Sequence, residues 1–295
     1  MKRSFIINAV LAVIVAALAL WMTLKPGDKE APGVALSALK RDAVKKIRIV
    51  PSKLPEFVLE REGNRWVQTQ PFRARTDESQ SGRLLDLLAA TAKDKLEAKD
   101  LGRFDLDKPF ARVFFDDQEF AFGTLNTLTN EQYVLTGNGV YLVSPVFGYG
   151  LPSRPDGLAS HMLLADDELP AKYELPGVTL ESKDGKWQVS PAPAEAPSQD
   201  DLARWAESWR YASSLATQPA PADAKGERAK IVTRAGKTIE FIIAARTPNF
   251  VLVRPDEKLQ YLFPPDTAAK MLQAPAPAPK AEAKTAPAPV AAPAK

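Results

Sequence analysis

Phe5 to Leu24 reads FIINAVLAVIVAALALWMTL, and this run constrains the chain more than any other stretch. Wound as a helix at ~1.5 Å per residue, about 20 mostly apolar residues match the ~30 Å hydrocarbon core of a bilayer. Asn8 and Thr23 are its polar interruptions. Lys2 and Arg3 precede it, and the positive-inside rule keeps so short a basic end in the cytoplasm. The expectation is a single-pass anchor over residues 1–25 with everything after it exported. A cleavable signal peptide is the competing reading, because Ala17-Leu18-Ala19 resembles a cleavage site. The apolar run continues through Trp21 and Met22, and Trp favours a membrane interface, so an uncleaved anchor is expected.

Composition narrows what an exported body can do. The 295 residues include no cysteine, so neither a disulfide nor an acylated cysteine is available. A single histidine, His161, leaves no ligand set for an imidazole and thiolate metal site. The net charge of +3 gives no footprint of nucleic-acid binding, which shows as a clustered basic face. Residues 26–35, with the run PGDKEAPGV, form a short spacer. Residues 274–295, APAPAPKAEAKTAPAPVAAPAK, have alternating Pro and too little apolar bulk for a core, and are expected to form an extended, disordered tail. The plain reading is a solubilising end, and the alternative is a tether or a weak contact with acidic envelope polymers through Lys280, Lys284 and Lys295.

The residues between spacer and tail repeat once. FVLEREGNRWVQ, Phe57 to Gln68, and VTLESKDGKWQV, Val178 to Val189, both read as strand, Gly-containing turn and a returning strand with Trp66 or Trp187. Further strands are expected upstream, at Ile47 to Val50 and Lys172 to Leu175. A helix follows each hairpin. In the first, Leu84, Leu85, Leu87, Leu88 and Ala92 share an apolar face entered through Thr76 and Asp77. In the second, Ser198 and Asp201 have capping-box spacing before Leu202, Trp205, Ala206, Trp209 and Ala212.

Strands then return at Ala111–Phe115, Glu119–Phe122, Gln132–Leu135 and Val140–Val143. The second copy continues with Lys230–Thr233, Thr238–Ile243, Phe250–Arg254 and Gln260–Phe263, and YLVSP at Tyr141 matches YLFPP at Tyr261. Strands, one helix, then a meander imply an α+β fold of two tandem copies, residues 36–163 and 164–273, each an antiparallel sheet with one packed helix.

The order of these motifs resembles the bacterial domain of unknown function 4340 family. The residues that carry it are Gly63 with Trp66, LLDLLAA from Leu84 to Ala90, Leu106-Asp107-Lys108-Pro109, Phe122-Gly123, Tyr133-Val134 and Val140-Tyr141. The likeness covers Leu36 to Leu151, and the second copy more weakly. Asp105 stands where the family turn often carries Gly, and Ala244 and Ala245 where the second copy would need it. The resemblance implies a membrane-anchored exported protein, with some relatives accompanying ABC transporters of the gliding-motility type. It brings no catalytic residue.

Chemical motifs elsewhere have plainer readings. His161 lies in the link between the copies, where a His-dependent nucleophile or base would have to use it. Arg234-Ala235-Gly236-Lys237-Thr238 resembles the end of a phosphate-binding loop, but Ile231 stands where the earlier glycine belongs, so a hairpin turn is expected. Asp116-Asp117 reads as a polar turn and Asp166-Asp167-Glu168 as a solvated connector, rather than an acid and base pair or a calcium site.

No catalytic, cofactor-binding or metal residue is assigned and no cofactor is expected. The expectation is a non-enzymatic accessory or scaffold subunit of an envelope complex, such as a transporter. It would be held in the bacterial inner membrane through residues 5–24, with its N-terminus cytoplasmic and its body periplasmic. Transporter subunits or other envelope proteins are the expected partners, with no nucleic acid. The alternative is a glycan-binding or carboxylate-dependent glycan-cleaving protein.

Overall fold

The computed structural model describes residues 11, 13–18, 20, 33–137, 139–193 and 195–273. Most of the Phe5–Leu24 stretch expected to form an anchor, most of the 26–35 spacer and the whole of the 274–295 stretch expected to form a tail lie outside the described residues. Of the Phe5–Leu24 stretch, residues 11, 13–18 and 20 are helical. Among the described residues no helix is long and apolar enough to cross a membrane.

From Val34 onward strands dominate. The first are β1 (Val34–Ala35), β2 (Lys46–Pro51), β3 (Phe57–Glu62), β4 (Arg65–Gln70) and β5 (Ala74–Arg75), followed by helix α1 (Glu78–Asp86). Next come β6 (Thr91–Ala92), β7 (Lys95–Glu97), β8 (Ala111–Phe115), β9 (Gln118–Leu125), β10 (Gln132–Thr136), β11 (Gly139–Val143) and the short helix α2 (Val146–Tyr149). Then follow β12 (Pro170–Leu175), β13 (Val178–Lys183), β14 (Lys186–Ser190) and helix α3 (Gln199–Arg210). The chain continues through β15 (Ala216–Pro219), β16 (Glu227–Thr233), β17 (Thr238–Ala245), β18 (Phe250–Arg254), β19 (Leu259–Phe263) and helix α4 (Pro265–Leu272). Neighbouring strands pair antiparallel, as in β3 with β4 and β16 with β17, so the fold class is the expected α+β.

Two compact units divide these elements. The first takes the described residues up to Val44 with Leu85–Arg112 and Asp117–Tyr149. The second takes Lys45–Leu84, Val113–Asp116 and the chain from Gly150.

In the first unit, strands run in the order β9-β10-β11-β7, while β1 pairs with β6. Leu106, Ala121 and Val140 form a small core there. In the second unit, one ladder runs β5-β4-β3-β2 and an eight-stranded sheet runs β14-β13-β12-β16-β17-β18-β19-β15. The order β9-β10-β11-β7 thus reappears as β17-β18-β19-β15, and β4-β3-β2 as β14-β13-β12.

The capping box that opens α3 forms. Ser198 Oγ accepts the Asp201 N–H at 3.1 Å, and Asp201 Oδ2 accepts the Ser198 N–H at 3.3 Å. The helix then buries Leu202, Trp205, Ala206 and Trp209. Both indole N–H groups donate to the end of α4, Trp205 to the Gln273 carbonyl at 2.7 Å and Trp209 to that of Met271 at 2.8 Å.

The earlier helix is shorter than its apolar spacing implies. Asp77 caps it, accepting N–H groups of Ser79 and Gln80 at 2.8 and 3.1 Å, while Thr76 instead bridges to Ala159. It ends at Asp86, a 3-10 turn spans Leu87–Ala89, and Ala92 lies in β6 rather than on a helical face. Pairing with β1, with the Ala90 carbonyl taking the Leu36 N–H, draws the chain out of the helix.

Candidate functional site

The densest gathering of chemistry-bearing side chains lies in the second unit, around Arg254 at the end of β18. Arg254 is buried, and no isolated cation is stable there, so it is paired on every side. Its Nη1 and Nη2 donate to Glu168 at 2.8 and 2.5 Å, its Nε to Asp256 at 3.0 Å, and its Nη1 also to the Leu163 carbonyl at 3.0 Å. Lys237 donates to Glu168 from the other side at 2.8 Å. Beside them Arg75 donates from β5 to Glu257 at 2.7 Å and to the Tyr261 hydroxyl at 3.0 Å, and Tyr261 donates to Glu257 at 2.5 Å.

These pairs set the proton affinities. Burial works against a charged Glu168, but the hydrogen bonds from Arg254, the Ala165 N–H and Lys237 outweigh it and pull the carboxyl down to about 2. Burial likewise opposes the charge on Arg254, and its bonds to Glu168 and Asp256 raise it above the ordinary guanidinium value. Burial raises the Tyr261 hydroxyl above its usual range. A general acid needs a carboxyl raised toward neutral pH, and Glu168 is moved the opposite way. The cluster ties β5, β18, β19 and the segment before β12 to one another.

That arrangement carries a pH prediction. The folded pKa of Glu168 lies below its ordinary 4.5, so its stabilisation is complete above that value and is lost as pH falls toward about 2. Glu168→Gln is expected to lower stability at neutral pH and to flatten the acid limb of the stability curve in that window. Equilibrium unfolding of both proteins across pH 2 to 7 checks it; parallel acid limbs would contradict it.

Of the acidic run, Asp166 and Asp167 are exposed as expected, but Glu168 is buried in this cluster. The Arg234 to Thr238 stretch is the turn between β16 and β17, with Gly236 at a φ of +81°. Asp116 is also a turn residue, with a φ of +52°, and its carboxylate accepts the N–H groups of Lys45 and Lys46 at 3.1 and 2.9 Å.

His161 Nδ1 lies 2.9 Å from the Ser214 carbonyl oxygen, and Nε2 lies 3.6 Å from Asp156. The Ser214 hydroxyl is 3.2 Å from that of Thr217, so the imidazole meets the serine backbone and not its oxygen nucleophile. Among the described residues, no group of three His, Cys, Asp or Glu is placed to hold a metal.

Three open clefts of the second unit border Arg75. One of about 420 Å³ includes Trp66, Asp77, Ser79 and Asp166. Another of about 480 Å³ includes Phe72, Arg73 and Pro219, and a third of about 380 Å³ includes Arg65, Lys237 and Asp256. One residue on each edge strand of the eight-stranded sheet is bonded by a side chain. The Gln199 amide bonds both the N–H and the carbonyl of Trp187 on β14, each at 2.9 Å, and Asp156 accepts the Thr217 N–H of β15 at 3.1 Å.

A family model described as Domain of unknown function (DUF4340) matches residues 66–231, more than half of the chain. The chain belongs to the DUF4340 family. The curated proteins and the solved structures give no match. The DUF4340 match begins at Trp66 in β4 and ends at Ile231 in β16, so it runs well past Leu151 and leaves Leu36–Arg65 outside.

Gly123 and Asp105, both singled out in the sequence, have a physical reason in the first unit. A Cβ on Gly123 would lie 2.0 Å from the Phe104 carbonyl and 2.9 Å from the Leu106 side chain, so the crossing turn requires glycine. Asp105 holds that turn at a φ of +55°, a left-handed conformation that Gly adopts most readily and Asp tolerates.

Proposed function

We propose that this DUF4340 protein is a single-pass inner-membrane protein whose periplasmic body acts as a non-enzymatic accessory or scaffold subunit of an envelope complex, such as a gliding-motility-type ABC transporter. The body comprises two tandem copies of one sheet-and-helix unit, a reading supported by the recurring strand orders. The observation that carries the anchor is the helical backbone at Leu11, Val13, Ile14, Val15, Leu18 and Leu20, whose side chains are 50–68% exposed. A helix with apolar side chains facing outward needs an apolar surrounding.

The buried charges of the second unit are committed to one another, and Trp187 and Thr217 on the two edges of its eight-stranded sheet are bonded by side chains. Docking is assigned to faces and clefts of the body. A second reading, a glycan-binding body, is favoured by the partly exposed Trp66 in a cleft with Asp77 and Asp166.

Crosslinking in intact cells, mild detergent solubilisation and purification of the full chain tests the proposal. Integral transporter subunits should be recovered, and lost when Phe5–Leu24 is replaced by a cleavable signal. Enrichment of glycan fragments alone, still bound by the soluble form, would replace the scaffold reading with the glycan one.

A further inference from the structure

Four exposed large apolar side chains of the first unit gather at one end of its ladder. Phe110 is 42% exposed, Leu128 94%, Val146 57% and Tyr149 72%. Leu128 lies on the turn between β9 and β10, whose nearest residues Leu125 and Gln132 pair with each other. Gln132 also pairs with Val143, the last residue of β11, and α2 with Val146 and Tyr149 follows directly. Phe110 reaches the same place, since its N–H donates to the Phe122 carbonyl at 3.0 Å. A Cβ on Gly148 would meet both Gln132 at 2.8 Å and the Phe110 ring at 3.4 Å. The turn itself is held, with Asn126 accepting the Leu128 N–H at 2.9 Å and donating to the Tyr133 hydroxyl at 3.1 Å.

The first described strand of the unit lies at this end as well. Val34 of β1 pairs with Ala92 of β6, and β6 lies beside β11. Tyr141 pairs with Lys95, so Ala92, upstream on an antiparallel path, lies toward Val143. From Leu24, where the proposed anchor ends, to Gly33 a fully extended chain reaches only about 30 Å.

We propose that this apolar end lies in the interfacial layer of the bilayer that carries the anchor, so that the first unit is held by a short tether and by a lipid contact on the same side. Lipid is the occupant because Val34, within reach of the proposed anchor along a short stretch of chain, lies at the exposed apolar end. Tyr beside Leu, Phe and Val is a composition suited to the headgroup boundary. The inference rests on the anchor reading.

The absence of native cysteine allows a direct test in the full-length chain. Leu128→Cys, and separately Asp117→Cys at the opposite end of β9, are labelled with an environment-sensitive fluorophore. Each protein is reconstituted into phosphatidylethanolamine and phosphatidylglycerol vesicles containing lipids brominated near the headgroup. The label at 128 is expected to shift to the blue and lose emission, and the label at 117 to do neither.

Vesicles that float with the protein but leave the 128 label unquenched would overturn the lipid contact and leave the anchor standing. Protein that does not float would overturn both. A label at 128 shielded in native membranes but not in lipid vesicles would assign this end to a protein partner, and the lipid proposal would fall.

Discussion

Arg254→Met is expected to lower stability by roughly 3–5 kcal/mol, the usual cost of leaving one member of a buried ion pair without its partner. The side chain is almost wholly buried and serves Glu168, Asp256 and the Leu163 carbonyl at once. Removing it strands the Glu168 carboxylate with Lys237 as its remaining cationic partner. The fall should appear as a lower denaturation midpoint with the secondary structure intact beforehand. Glu168→Gln alone should cost less, and the double variant should cost less than the sum of the two, because both changes act on one pair. Additive losses would show that the two groups do not depend on each other.

Trp209→Ala should rank beside it, at about 3–5 kcal/mol for an aromatic truncated in a packed core. Trp209 is fully buried, and its ring lies 6.0 Å from that of Tyr173 and 6.2 Å from that of Phe241. Its N–H is also the partner of the Met271 carbonyl, which ties α4 to α3. Trp209→Phe keeps most of the ring but leaves that carbonyl unpaired, a loss of about 1–3 kcal/mol. Thermal melts should place Ala well below Phe, and Phe below the parent. Equal losses would mean that volume alone matters.

Much of this was legible in sequence because it is local. Alternation and turn glycines placed β3, β4, β13 and β14, and Ala111–Phe115 and Phe250–Arg254 match their strands end to end. Ser198 and Asp201 located the start of α3 through a cap that spans three residues. What escaped depends on distant partners. β7 and β15 are short strands that exist because β11 and β19 accept them at a sheet edge, which no local pattern records.

The same limit applies to the site. Glu168 looked like one more acid in a solvated run, and its burial is decided by Arg254 and Lys237, which lie more than 60 residues away in sequence. The left-handed Asp105 was visible only as a departure from a family pattern. Its cause, the turn crossing Gly123, needed three dimensions.

The anchor is the claim on which location, scaffold role and lipid contact all depend. Its most direct test is alkaline extraction of membranes from cells making the full chain. The protein is expected to stay in the membrane pellet, and to become soluble once Phe5–Leu24 is exchanged for a cleavable signal. Full-length protein released by alkali would contradict it.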